Sequence, residues 1–367
     1  MSGNAWIYII GFAAACLLSV VLTPLVKKLA IKVGAIDVPN HRSVHSKIMP
    51  RMGGLAIFLA FVGSYLIMAP ATTGYNMDVA MGLILGGAVI VLVGALDDKY
   101  DLSPKVKLLG QIIAASIVIS FGLQIDYIKL PFFDAMDLNP WFSIPLTVLW
   151  IVGVTNAINL IDGLDGLSAG VSAIATTSLL VLAIMMGNVT VILLCVVLLG
   201  STIGFLFYNF HPAKIFMGDS GSLFLGFSLA TLSILGYKSA TIVSFLVPLA
   251  ILGVPLSDTL MAILRRKLNN KPIFTADKGH LHHCLMGLGF SMKKSVLIIY
   301  GIASFFGLCA VLLSKASQWG AILVVVLLLL FMEIGAEAIG IVSKSRKPVL
   351  RLIQKLVPAS IRSRVTK

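Results

Sequence analysis

The residues of this sequence best placed to do chemistry are aspartates set among glycines at the ends of apolar runs. Asp37, Asp97, Asp98, Asp101, Asp162, Asp165, Asp219, Asp258 and Asp277 make up nine of its fifteen acidic residues. A carboxylate at the edge of a hydrocarbon layer is costly, so carboxylates gathered there argue for a site rather than a solvated surface. Their chemistry is the binding of hard cations and, through them, of phosphates.

Four motifs carry most of these groups. In the first, Asp97-Asp98-Lys99-Tyr100-Asp101 precedes Pro104 and Lys107. Adjacent carboxylates at a helix end point different ways, so one is free for a metal or phosphate while the other is held by a lysine; a merely solvated helix end is the plainer reading. In the second, Asn156, Asn159, Asp162 and Asp165 lie before and between Gly163 and Gly166. Asn159, Asp162 and Asp165 recur at i, i+3, which in a helical turn stacks them on one side. Carboxylates and an amide carbonyl suit a hard cation, and the glycines let backbone approach a ligand.

The third motif, Asn209 to Ser222, contains Phe216 and Asp219. Asp219 heads an apolar run, where an ordinary helix cap is the competing explanation. Phe216 suits stacking on a nucleobase or a place in the interfacial aromatic belt. The fourth is Asp277-Lys278-Gly279-His280-Leu281-His282-His283. Adjacent His282 and His283, with no cysteine pair at ligand spacing, argue against zinc, and phosphate binding by imidazolium with Lys and Arg is favoured. An earlier loop adds His41, Arg42, His45, Lys47 and Arg51 before Gly53-Gly54.

These motifs need a scaffold, and composition names it. The 367 residues are 58% hydrophobic and 12% charged, with mean hydropathy +1.01; a soluble chain would carry about twice the charge. The fold class expected is all-α, a polytopic transmembrane helical bundle. A bilayer core of about 30 Å takes around 20 apolar residues per helix. About eleven segments (ten to eleven) qualify, at roughly 5–26, 53–70, 79–96, 106–123, 142–160, 167–187, 189–208, 221–236, 240–262, 295–314 and 318–342. The first is read as a retained span, since positive charge follows it rather than precedes it. The connection at Gly187-Asn188 is the shortest.

With the N-terminus outside and the C-terminus cytoplasmic, 25 of 28 Lys and Arg residues fall inside, leaving Lys129, Lys238 and Lys315. That bias sets orientation, and it puts all nine clustered aspartates on the same side. Residues 1–342 read as a single transmembrane catalytic domain and 343–367 as a basic cytoplasmic tail that contacts anionic lipid. Glu333 and Glu337, spaced i, i+4, share a face of the last span. The net charge of +13 reflects this topology and not nucleic-acid binding. Cys16, Cys195, Cys284 and Cys309 form no disulfide framework.

The runs HSKIMPRMGG, LDDKYDLSPKVKLLGQ, TNAINLIDGLDGLSAG, NFHPAKIFMGDSGSLFLG and DKGHLHH together resemble those of the bacterial polyprenyl-phosphate N-acetylhexosamine-1-phosphate transferases. That superfamily includes the phospho-N-acetylmuramoyl-pentapeptide transferases, but the DKGHLHH run resembles the N-acetylglucosamine branch. The resemblance extends in order over nearly the whole chain. It implies Mg2+, with Mn2+ as a substitute, coordinated by Asp219 with Asn159 nearby. Asp97 and Asp98 would serve the lipid phosphate, and Lys107 would meet the diphosphate. Asp162, Asp165 and Phe216 would hold the nucleotide, and His280, His282 and His283 the sugar phosphate. Asn156 and Lys47 join the substrate-binding set, and the ninth helix would be bent, in keeping with Pro248 and Pro255.

The activity so implied is transfer of N-acetylglucosamine 1-phosphate from UDP-N-acetylglucosamine to undecaprenyl phosphate in the cell membrane, on its cytoplasmic face. A different UDP-N-acetylhexosamine, including the muramoyl-pentapeptide, is the near alternative, and a homodimer is compatible with it. A secondary transporter for an anionic metabolite is the rival class, but it calls for midplane binding and inverted repeats.

Overall fold

The computed structural model describes residues 5–39, 48–129, 134–237, 246–268, 270 and 279–339. They form α1 (Ala5–Val33), β1 (Ile36–Asp37), β2 (Met49–Pro50), α2 (Gly53–Met68), α3 (Met77–Tyr100) and α4 (Pro104–Ser120). After β3 (Tyr127–Ile128) and β4 (Met136–Asp137) come α5 (Pro140–Leu160), α6 (Leu167–Met186), α7 (Val189–Asn209) and α8 (Gly218–Tyr237). The chain continues through α9 (Leu246–Ile251), α10 (Gly253–Leu268), α11 (Leu281–Gly287), α12 (Met292–Lys315) and α13 (Gln318–Ile339). The strands are two antiparallel two-residue pairs, β1 with β2 and β3 with β4. The protein is an all-α polytopic membrane protein, and nine helices among the described residues are long and apolar enough to cross a bilayer.

The ten to eleven expected spans exceed that number for two reasons. The fourth, α4, is 17 residues long. The ninth is interrupted at Leu252, between α9 and α10. Pro255 has no N–H to offer the Ile251 carbonyl four residues back, so the helix loses a rung where the break falls. The short connection at Gly187-Asn188 stands: Gly187 closes α6 with φ 69°, and the Asn188 side chain accepts from Val191 N–H at 3.2 Å to start α7. The tail at 343–367 lies outside the described residues.

Two helices sit deepest. α8 packs against α3, α5, α2 and α6, and α7 against α1, α6 and α2. Close approach rests on glycine at the first turn of α8: a side chain on Gly54 would collide with the backbone of Gly221, and one on Gly94 with that of Ser220. Spanning helices consecutive in sequence run in opposite directions. At one end, hydrogen bonds join the C-terminal turns of α3 and α5 to the N-terminal turns of α4 and α8. At the other, Asn76 N–H donates to Thr190 Oγ1, joining the starts of α3 and α7, and Asn188 Nδ2 reaches the Leu235 carbonyl near the end of α8. The motifs therefore meet at one end of the bundle because every second connection returns there.

Candidate active site

Asp98 shows how the site is built. Its Oδ1 accepts the Asp219 N–H at 2.7 Å and its Oδ2 the Ser220 N–H at 3.2 Å, so a carboxylate from the end of α3 caps the start of α8. A helix N-terminus has unpaired N–H groups and a positive dipole end, and both favour this partner. Gly218, at φ 71°, makes room, since a Cβ there would run into the Asp98 carboxylate. The N-capping role considered for Asp219 thus belongs to Asp98. Asp219 is left with its side chain available for other work.

Lys107, at the start of α4, spans two of the other acids. Its Nζ lies 2.9 Å from Asp219 Oδ2 and 3.3 Å from Asp97 Oδ2. Asn159 Nδ2 donates to Asp219 Oδ1 at 3.0 Å and to Ser222 Oγ at 2.8 Å. Asp97 Oδ1 is buried and has no hydrogen-bond partner among the described residues. Asp162 follows on the turn beyond α5, with no hydrogen bond to its carboxylate among the described residues. Burial first, then the Asp219 and Asp98 carboxylates, push its carboxyl well above the usual range, against the opposing pull of Arg51.

A hard divalent cation is the group such oxygens would hold. Among the described residues there is no group of three or more His, Cys, Asp or Glu arranged to hold a metal. Mg2+ does not require one, because it is commonly held by one or two carboxylates together with substrate phosphates. The orphaned Asp97 Oδ1, the adjoining Asp219 carboxylate and the Asn159 amide oxygen form an oxygen set of that kind. The residues fit the group.

Elsewhere the structure redistributes the expected roles. Asn159, Asp162 and Asp165 do not stack on one helical face, because α5 ends at Leu160 and Gly166, at φ 74°, turns the chain away. Asp165 instead braces the next motif, with Oδ2 2.9 Å from His211 Nδ1 and accepting the Ala213 N–H at 3.0 Å. Asn156 sits a turn deeper and exchanges hydrogen bonds with Gln111 at 2.7 and 3.2 Å, tying α5 to α4. Phe216 is fixed through its backbone, its N–H donating to the Pro50 carbonyl and its carbonyl accepting the Gly53 N–H.

The histidine segment reaches the same end. His280 Nδ1 is 2.9 Å from Asp258 Oδ2. His282 lies parallel to it, ring centroids 6.0 Å apart, and against the turn after Asp162, for a Cβ on Gly163 would be 2.7 Å from His282 Nε2. The surroundings of His282 in the unliganded fold do not favour the imidazolium expected there. Burial chiefly, with neighbouring His283 and His280 and against Asp258, lowers its pKa to about 4, so near pH 7 it is a neutral ring. His283 packs on it at 4.2 Å between centroids. Lys47 and Asp277 lie outside the described residues.

Several participants lie in the motifs or among the clustered aspartates but carried no role of their own from sequence. Arg51 joins Asp37 at 3.1 Å and Asp101 at 3.6 Å, closing the β1–β2 pair onto the end of α3. His211, Gln111 and Asp258 are the others. Each had a signal, a polar residue within or beside a motif, but the partner in every case is distant in sequence.

Comparison with known proteins places the chain among named relatives. The profile described as glycosyl transferase family 4 matches residues 80–237, from early in α3 to the end of α8. A probable undecaprenyl-phosphate N-acetylglucosaminyl 1-phosphate transferase of Bacillus subtilis is 48% identical over 350 residues, 95% of this chain and 97% of the relative. A decaprenyl-phosphate N-acetylglucosaminephosphotransferase of Mycobacterium tuberculosis is 38% identical, covering 81% of this chain and 80% of its own. A phospho-N-acetylmuramoyl-pentapeptide-transferase of Halalkalibacterium halodurans is 31% identical over 83% of this chain and 95% of its own. With near-half identity sustained from end to end, the chain belongs to the polyprenyl-phosphate N-acetylglucosamine-1-phosphate transferase family.

Proposed function

We propose that this protein transfers N-acetylglucosamine 1-phosphate from UDP-N-acetylglucosamine to undecaprenyl phosphate, forming undecaprenyl-diphospho-N-acetylglucosamine and UMP. The product starts a lipid-linked surface glycan, such as a teichoic acid linkage unit or O-antigen. The observation that carries the reading is Lys107 set between Asp97 and Asp219 beside Asn159, where helix ends converge. That the Bacillus relative's name specifies the same sugar and lipid supports the substrates chosen.

Both reactants are phosphates, so the protein's task is to bring like charges together and hold them in line. Asp219, Asp97 and Asn159 would hold Mg2+, which when bound supplies charge neutralisation to the diphosphate and the departing UMP. Lys107 is the cation of this chain that meets the diphosphate. The acceptor phosphate has a second pKa of about 6 and is largely dianionic near neutral pH, so it attacks without a general base. Direct displacement follows. Both oxygens of Asp98 are already taken up by the amides of α8, so Asp98 positions Asp219 and does not act as a nucleophile. A covalent route would have to use Asp97.

The polar groups meet at one end of the bundle rather than at its middle, which favours this reading over a transporter. Radiolabelled UDP-sugars, offered with undecaprenyl phosphate to the purified protein in detergent, test it. Label from UDP-N-acetylglucosamine is expected in the lipid fraction, with release of UMP. Label entering lipid only from the muramoyl-pentapeptide nucleotide, or from none, would overturn it.

A further inference from the structure

Asp258 lies in the second turn of α10 and is buried, where a carboxylate without partners is costly. Both of its oxygens are engaged by the start of α11. Oδ2 stands 2.9 Å from His280 Nδ1, and Oδ1 accepts the Leu281 N–H at 2.8 Å. His280 occupies the N-cap position and makes no capping bond with its own side chain. Asp258 therefore caps α11 from another helix, much as Asp98 caps α8.

An ionised carboxylate only accepts, so this contact keeps a proton on His280 Nδ1 and leaves Nε2 as the atom with any further use. Beyond His280 comes a series of contacts. Its ring is parallel to that of His282 to within 5°, and His282 rests on Gly163, the residue after Asp162. α10 also packs on α5, the helix that carries Asn159. A buried carboxylate in a polar contact is weak support for stability; what this contact delivers is orientation.

We propose that Asp258 is a positioning residue of the transfer reaction, which fixes the tautomer and ring plane of His280 and so seats the histidine segment against the Asp162–Gly163 turn. The role rests on the transfer reading above, with the histidine segment on the sugar-diphosphate side of the reaction. For a metal-bound histidine, loss of the carboxylate that orients it costs on the order of tenfold to a hundredfold, and a loss of that order is expected here.

The test uses the full-length protein in detergent with Asp258→Ala, Asp258→Asn, His280→Ala and the double variant Asp258→Ala/His280→Ala. Nitrogen-15 spectra of histidine-labelled protein should show His280 protonated on Nδ1 in the wild type, a signature lost in Asp258→Ala. The kcat/KM for UDP-N-acetylglucosamine should fall about tenfold or more in Asp258→Ala, while KM for undecaprenyl phosphate holds. The double variant should be no slower than His280→Ala, since one residue acts through the other. Asp258→Asn keeps an acceptor for Leu281 N–H and should stay folded while sharing the kinetic loss. An unchanged His280 tautomer, additive losses in the double variant, or wild-type turnover in Asp258→Asn would each overturn the proposal. Failure of the transfer reading appears differently, as wild-type protein that labels no lipid from UDP-N-acetylglucosamine.

Discussion

Adjacent aspartates divide their work according to what each oxygen touches. Asp98 is consumed by two amides of α8, whereas Asp97 keeps one buried oxygen unpaired and turns the other to Lys107. Lys107→Met removes the cation between Asp97 and Asp219 and the group proposed to meet the diphosphate. Turnover should fall on the order of a hundredfold to a thousandfold, the usual loss for one preorganised charge-stabilising group. Chelator should abolish wild-type turnover and Mg2+ restore it; activity undiminished by chelator would remove the metal from the proposal. Asp98→Asn tests the other half of the pair. An amide offers α8 one acceptor in place of two and no negative charge, so stability should drop by about 0.5–2 kcal/mol, read by thermal unfolding in detergent. The same variant should slow transfer without trapping a phosphorylated protein. With a chiral thiophosphoryl substrate, the wild-type enzyme should invert configuration at phosphorus, and net retention would instead make Asp97 the nucleophile.

Helices were more legible than the turns between them. Apolar length alone located each of α1 to α8 to within a few residues at most ends, and the pair Gly187-Asn188 announced its own turn because cap residues act locally. The break at Leu252 was legible in outline from Pro248 and Pro255. The division of labour among the polar residues was not legible, because Asp165 meets His211 and Asp258 meets His280 across distances that no periodicity encodes. The same holds for Gly94, which in sequence is one more glycine in an apolar run. In the structure it is where α3 meets the first turn of α8. Gly94→Ala should cost about 1–3 kcal/mol by forcing that contact apart, and it should lower turnover because Asp98 and Asp219 move with their helices. At α11, the neutral ring of His282 gives a pH signature. Its folded pKa of about 4 lies below the ordinary 6.5, so the unfolded chain takes up this proton first as pH falls. The contribution is fully present above pH 6.5 and is lost as pH falls toward 4, at a slope approaching about 1.4 kcal/mol per pH unit. His282→Gln should flatten the acid limb of a stability–pH curve over that range; an unchanged limb would mean the ring is charged in the fold.

At the scale of the whole molecule, the alternating helices turn a local chemical problem into a question of sidedness. Ser103, at the start of α4, belongs to the end that holds the carboxylates, and Asn139, at the start of α5, to the opposite end. Both are exposed. The bundle fixes only that these ends are opposite, and charge chooses between them. In the eleven-span reading of the sequence 25 of 28 basic residues fall on the carboxylate side, so the positive-inside rule predicts that this end faces the cytoplasm. α4 and the broken α9–α10 pair must then count as passes despite their lengths. Otherwise α5 would not end with Asn159 beside Asp219, nor would the chain after α8 bring His282 back against Gly163. Cysteine labelling reads this directly. In a protein freed of Cys16, Cys195, Cys284 and Cys309, Asn139→Cys should react with a membrane-impermeant thiol reagent in intact cells. Ser103→Cys should react only after the cells are opened. Equal labelling of the two in intact cells would break the alternation, and labelling of Ser103→Cys alone would place the site on the outer face.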